Sequence, residues 1–288
     1  MTVSTALSLP APVRLRPRGS RRGIKGQHLA STTRTANAFS VPVAQLGEAH
    51  EPEIEESAQA QQALAVLPEP LRMLPYWVRN GGGARRCIVY LEPRRGSPLY
   101  NGIEEFFRQS AAQYGATEAH QYHPHSSMCG FIDLDAGRAG SVVGRIAWHL
   151  HALVAASGGL EAPRVRAVAR ASDYPRAGTH KLELQLDTPA AFRRMIAEVA
   201  RRVPEAGVRP KRMGHISLAY CNKHVATDAV VTAEQAAALD ALARALLYTR
   251  DVFDAAKNPW DVAFYELAFR SSALGTPHRF TQIARWQL

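Results

Sequence analysis

Polar and apolar positions along the chain fall into two passes of one rhythm. Cys87–Leu91 is a short apolar run of the kind a buried strand carries. From Pro98 to Tyr114, Ile103, Phe106 and Phe107 share one face of a helix, and Gly115 follows as a stop. His125 to Ile132 reads as a strand. Gly140 to Ala156 reads as a helix, with Val142, Val143, Ile146, Leu150, Leu153 and Val154 at helical spacing. Val165–Ala171 is expected at the edge of a sheet.

The order then returns. In His180–Leu186, Leu182, Leu184 and Leu186 alternate with polar residues, which predicts a half-buried strand. Thr188-Pro189 predicts a helix start, a capping hydroxyl with proline at the first helical position, and Phe192, Met195, Ile196 and Val199 supply the apolar face. His215 to Cys221 reads as a strand. Thr232 and Gln235 form a capping box for a helix running through Leu239, Leu242, Leu246 and Leu247. Trp260–Phe269 and Arg279–Trp286 read as closing strands. Strand, helix, histidine-bearing strand, helix thus occurs twice, predicting an α+β fold built as a duplication with pseudo-repeats at about 85–175 and 176–288. His125 precedes the start of its following helix, at Ser141, by 16 residues, and His215 precedes Thr232 by 17.

The net charge of +10 suggests a polyanion partner until it is located. Residues 1–47 hold seven cations (Arg14, Arg16, Arg18, Arg21, Arg22, Lys25 and Arg34) and no acid, so the remainder of the chain is only mildly basic. That leader, rich in Ser, Thr, Ala and Arg, has the composition of an organellar transit peptide for a plastid or mitochondrion. Its low content of core-forming residues predicts disorder. Residues 48–84, acidic at first and closed by Gly81-Gly82-Gly83, read as a linker with a helical turn near Gln59–Leu67. Three widely spaced cysteines, Cys87, Cys129 and Cys221, argue against a disulfide framework or a zinc knuckle and predict buried thiols. Trp148, Trp260 and Trp286 are expected as core anchors. No apolar run is long enough to span a membrane.

The chemistry lies in the two histidine strands. Both His125-Ser126-Ser127-Met128 and His215-Ile216-Ser217-Leu218 read His-x-Ser followed by a large apolar residue. Alternate strand residues share a face, so each strand offers one imidazole and one hydroxyl together. Two such pairs across a groove suit a phosphodiester. A neutral imidazole takes a proton from the attacking group, a protonated one gives a proton to the leaving oxygen, and the hydroxyls donate to the phosphate. His120 and His123 are expected beside the site. His123-Pro-His125 also has the spacing of a metal pair, but no neighbouring carboxylate completes a ligand set in the sequence, with Asp133 and Asp135 too far along. His123, Phe131, Tyr220 and Lys223 are further candidates for substrate contact. By parity Tyr220 falls on the face opposite His215.

HPHSSMCGF and GHISLAY resemble the paired H-x-[ST] motifs of the two-histidine phosphoesterase superfamily, which includes cyclic phosphodiesterases and RNA-end-processing enzymes. The resemblance covers roughly Arg85 to Leu288, including the 90-residue interval between motifs. It implies a bilobal fold, two antiparallel sheets flanked by helices around a central cleft, with no metal and no cofactor. It implies catalytic roles for His125 and His215, and phosphate-binding roles for Ser127 and Ser217. The substrate expected is a 2′,3′-cyclic nucleotide or an RNA-end cyclic phosphate, handled by a monomer away from membranes. The competing expectations are an RNA 3′-end trimming transesterase of the same fold, a non-catalytic nucleotide- or RNA-binding module, and a histidine-based metalloenzyme.

Overall fold

A computed structural model describes residues 84–172, 178–221 and 231–288, all within the compact unit Ser57–Leu288. The predicted leader, nearly all of the linker with its helical turn, and Lys223 lie outside the described residues. The strands are β1 (Arg85–Pro93), β2 (Ser126–Ser127), β3 (Ile132–Leu134), β4 (Arg164–Ser172), β5 (His180–Asp187), β6 (His215–Ala219), β7 (Trp260–Phe269) and β8 (Arg279–Gln287). The helices are α1 (Pro98–Tyr114), α2 (Ala139–Ala156), α3 (Ala190–Arg202), α4 (Ala233–Leu247) and the single turn α5 (Arg250–Phe253).

The strands make two antiparallel sheets. In one the order is β2-β1-β7-β8, with β3 also on β1; in the other it is β4-β5-β6. The fold is therefore α+β with two antiparallel sheets and flanking helices. A correspondence runs between the sheets. In each, a central strand (β1, β5) has a His-x-Ser strand on one side (β2, β6), and on the other a strand from the opposite half of the sequence (β7, β4). The sheets thus cut across the sequence boundary near residue 175: β4 pairs with β5, and β7 pairs with β1.

Local sequence explains most boundaries. Residues Cys87–Pro93 of β1 are buried without interruption, as suits a strand with neighbours on both sides. Ser97 caps α1 by accepting from the Tyr100 N–H at 3.2 Å, and Pro98 opens the helix. Leu99, Ile103, Phe106 and Phe107 bury its apolar face. Thr232 and Gln235 form the expected capping box of α4. Helix α1 packs on α4, α2 on α3, and α4 on β4 and β5.

Four expectations are corrected. The strand foreseen over His125–Ile132 is interrupted. Tyr90 opposes Ser127 while Cys87 opposes Ile132, so the Ser127–Ile132 segment carries two residues more than β1 can match. Cys129 and Gly130 leave the sheet there and pair with the loop before β6. The Gly130 N–H donates to the Arg209 carbonyl at 2.9 Å, and the Lys211 N–H to the Met128 carbonyl at 2.9 Å. Secondly, Thr188 does not cap α3. The helix starts at Ala190 with Pro189 before it, and the Thr188 hydroxyl donates to the Met213 carbonyl at 2.5 Å. The strand foreseen over His215–Cys221 ends at Ala219, so the parity argument for Tyr220 lapses. Lastly, Trp148 is 39% exposed, on the outer side of α2, while Trp260 and Trp286 are buried as expected. Cys87, Cys129 and Cys221 are buried free thiols.

Candidate active site

The two histidine strands occupy matching edges, each against the central strand of its sheet. Burial alternates along both. Ser126 and Met128 are buried where His125 and Ser127 are partly open, and Ile216 and Leu218 are buried where His215 and Ser217 are open. His125, Ser127, His215 and Ser217 all line one cleft of about 820 Å³, together with His123, Phe131 and Tyr220. The exchange of backbone hydrogen bonds between Met128–Gly130 and Arg209–Lys211 joins the two motif regions. A further bond runs from the Glu118 N–H to the Tyr220 carbonyl at 3.0 Å, which places Tyr220 at the cleft wall.

The two imidazoles have unlike neighbours. The His125 Nδ1–H donates to the carbonyl of His123 at 2.8 Å, which leaves Nε2 as the acceptor of a neutral ring. Tyr90, directly opposite Ser127 on β1, stacks on His125 with ring centroids 3.8 Å apart. Burial pushes His125 from 6.5 down to about 3. His123 and Lys211 push the same way, while the bond to the His123 carbonyl and the charge of Glu92 oppose them. On β5 the position opposite Ser217 is Glu183. Its Oε1 lies 3.2 Å from His215 Nε2 and 2.5 Å from Lys181 Nζ. Desolvation also lowers His215; Glu183 opposes that shift, and Lys181 and Lys211 reinforce it.

His215 is reached through a strained approach. Met213, two residues upstream, has φ 54°, a left-handed conformation that a bulky side chain rarely adopts. Its side chain is buried and its carbonyl is held by Thr188. Such an outlier persists only where surrounding packing over-determines it.

The cleft is cationic. Arg86, Lys181, Arg209, Lys211, Arg212 and Arg270 line it, against Glu118, Asp133 and Glu183. Arg86 pairs with Asp133 and Lys181 with Glu183. Arg209, Lys211, Arg212 and Arg270 form no ion pair among the described residues, which leaves the cleft a positive potential. Arg86 also lies over the Phe131 ring, 5.6 Å from its centroid.

Behind His125 sits a buried carboxylate the sequence did not reveal. Glu92, 1% exposed, accepts from His123 Nε2 through one oxygen and from Arg285 and the Tyr265 hydroxyl through the other. Burial alone would raise the Glu92 carboxyl. The His123 bond and the charges of His123, Arg285 and His125 outweigh it and hold the group below its usual value. His123 is thus tied to β1 through its ring while its carbonyl fixes His125. His120, expected beside the site, packs instead against α1: Ser110 Oγ lies 2.9 Å from its Nε2, and its Nδ1 accepts from the Thr117 N–H at 2.9 Å. Among the described residues no three His, Cys, Asp or Glu side chains converge in a way that suits a metal ion.

Two signals point to what sequence reading missed. Lys181 and Glu183 are the polar alternates of the Leu182–Leu186 pattern, and a half-buried strand beside a histidine strand turns that polar side to the cleft. Arg209, Lys211 and Arg212 run directly up to His215. Glu92 gives no such signal, because its partners stand 31 and 193 positions away.

No family model matches the chain, and no curated protein matches it. Among solved structures the chain is similar to E. coli LigT in its apo form, at 13% identity over 71% of this chain and 98% of that one, with a TM-score of 0.38. Among the described residues no helix is long and apolar enough to cross a membrane.

Proposed function

We propose that this chain is a metal-independent phosphodiesterase acting on a 2′,3′-cyclic phosphate, at a nucleotide or an RNA end, by two-histidine acid–base catalysis. The observation that carries the reading is the delivery of two His-x-Ser pairs, from matching edge strands of two sheets, into one cationic cleft.

The unlike neighbours divide the labour. His125, neutral and with no hydrogen-bond partner for Nε2 among the described residues, takes the proton of the attacking water as its oxygen bonds to phosphorus. His215, lowered by burial but with its cation supported by Glu183 at Nε2, gives its Nδ1 proton to the departing ribose oxygen as the P–O bond breaks. Ser127, Ser217 and the unpaired arginines and Lys211 donate to the non-bridging oxygens, where charge gathers in the transition state. Met213 and the Glu92–His123 pair hold the two imidazoles in place. Residues 1–47 take no part in this chemistry and serve as a targeting leader to an organelle.

The test is turnover of a 2′,3′-cyclic nucleotide and of an oligonucleotide ending in a cyclic phosphate, by the purified chain in excess EDTA. Hydrolysis to a monophosphate end, unchanged by chelation, is expected. Loss of activity with EDTA would transfer the assignment to a metal mechanism.

A further inference from the structure

A second cavity, of about 600 Å³, lies beside the catalytic cleft and shares His123 with it. Its volume falls in the range of roughly 300–1,000 Å³ usual for small-molecule sites. Arg95 and Arg279 line it, both exposed and neither in an ion pair among the described residues, although Arg279 lies over the Phe269 ring at 5.0 Å and Arg95 is close enough to Glu104 for their charges to interact; no carboxylate lines the cavity itself. His278, buried, also lines it. Its Nδ1 accepts from the Ser271 N–H at 3.0 Å, which assigns the remaining N–H of the neutral ring to Nε2. Tyr265 and the partly exposed Phe280 complete the aromatic side.

A continuous aromatic seam separates and links the two cavities. Phe280 lies 5.8 Å from Tyr90, 5.7 Å from His123, 5.9 Å from Tyr265 and 6.3 Å from His278, centroid to centroid, and Tyr90 in turn stacks on His125. A cavity with guanidiniums outside any ion pair and a ring at its rim suits what a single-stranded nucleic acid presents at each step: one phosphate and one base face. Guanidinium donors suit the phosphate, and a partly exposed ring suits any base.

We propose that this cavity is a subsite for the nucleotide next to the reacting one, so that the substrate is an oligonucleotide end and not a free mononucleotide. The proposal rests on the phosphodiesterase reading of the first cleft. Arg95 and Arg279 hold the neighbouring phosphate, Phe280 stacks its base, and His123 forms the step between the two nucleotides. Beyond bringing affinity, the subsite fixes which end of a polynucleotide enters the cleft.

The test compares kcat/KM for a 2′,3′-cyclic mononucleotide with that for a tetranucleotide ending in the same cyclic phosphate. In the wild type the tetranucleotide is favoured by about ten- to a hundredfold, the factor expected of one or two hydrogen bonds to a charged group. In Arg95→Ala/Arg279→Ala that ratio falls towards unity, mainly through KM for the tetranucleotide. Phe280→Leu, which keeps an apolar side chain within the seam, lowers it severalfold. Equal kcat/KM for both substrates in the wild type, or equal losses on both in the double variant, overturns the subsite while leaving the phosphodiesterase reading intact. If neither substrate is turned over, that reading fails, and fluorescence anisotropy with a labelled tetranucleotide 3′-phosphate then decides the subsite alone. Salt-sensitive binding weakened by the double variant sustains it, and binding indifferent to the variant overturns it.

Discussion

His125 and His215 stand at equivalent positions of matching edge strands, but the central strand behind each supplies a different partner. Opposite Ser127 it supplies Tyr90, whose ring stacks on His125; opposite Ser217 it supplies Glu183, whose carboxylate reaches His215. Burial lowers both imidazoles, His125 to about 3; at His215 the adjoining Glu183 carboxylate opposes that shift. A repeated motif therefore does not mean repeated chemistry. Under the proposed mechanism the residue across the ladder is what tells base from acid, at one position of one strand in each sheet.

The first way to break this comparison is to remove either imidazole. His125→Ala and His215→Ala should each lower turnover by roughly 10²–10⁴-fold. The double variant should fall by less than the product, because groups acting as a unit are not additive. His123→Ala should cost far less than His125→Ala. The reverse order, read in the same kinetic assay, would sink the pairing.

Next come the hydroxyls. Ser127→Ala and Ser217→Ala each delete one donor to phosphate while both proton transfers persist, so a loss of about ten- to a hundredfold is expected from initial rates. The two should match each other more closely than the histidines do, since the serines share a role.

Glu183→Gln sharpens the comparison at smaller cost. Its carboxylate raises the affinity of His215 for a proton, so removing it should move the alkaline limb of the pH–rate profile to lower pH. Tyr90→Phe should leave both limbs in place, because the buried Tyr90 hydroxyl has no hydrogen-bond partner among the described residues. A shift of the alkaline limb in Tyr90→Phe, or its absence in Glu183→Gln, would reverse the assignment of acid and base.

The smallest effect lies in stability. Unfolded, His125 takes up a proton near 6.5; folded, only near 3. Between those values the unfolded chain binds more protons, so stability is full above about pH 6.5 and is lost as pH falls towards 3. Melting curves from pH 7 to 5 should show this decline, and His125→Gln should flatten it more than His215→Gln does.

Much of this was legible in the chain. Alternation at His125–Met128 and Leu182–Leu186 gave the facing of both strands, and Thr232 with Gln235 gave the start of α4, because these patterns are local. What was hidden depends on partners distant in sequence. Glu92 looks like the polar end of an apolar run, and only the fold brings His123 and Arg285 to it. Thr188 has the chemistry of a cap but is drawn to the Met213 carbonyl, a tertiary contact that outcompetes a local one. Trp148 sits at helical spacing without facing the core, since size alone does not choose a side. The break at Cys129 follows from the loop before β6, which no reading of residues 125–132 contains.

The exchange of β4 and β7 between the sheets sets the order in which a growing chain can complete itself. Once β6 has left the ribosome, β4, β5 and β6 are all present and their sheet can close. β1, made first among these strands, must wait for β7, with Cys87 finding its second partner only when Glu266 emerges. Until then one side of an apolar strand keeps unpaired N–H and C=O groups, a template for pairing with another nascent chain. Such distant pairing also slows folding, because loop closure precedes any reward from contact. In a cell the vulnerable interval of this protein is therefore the stretch of synthesis between β1 and β7, and a chain stopped before Trp260 should be recovered in aggregates, with one side of β1 never covered.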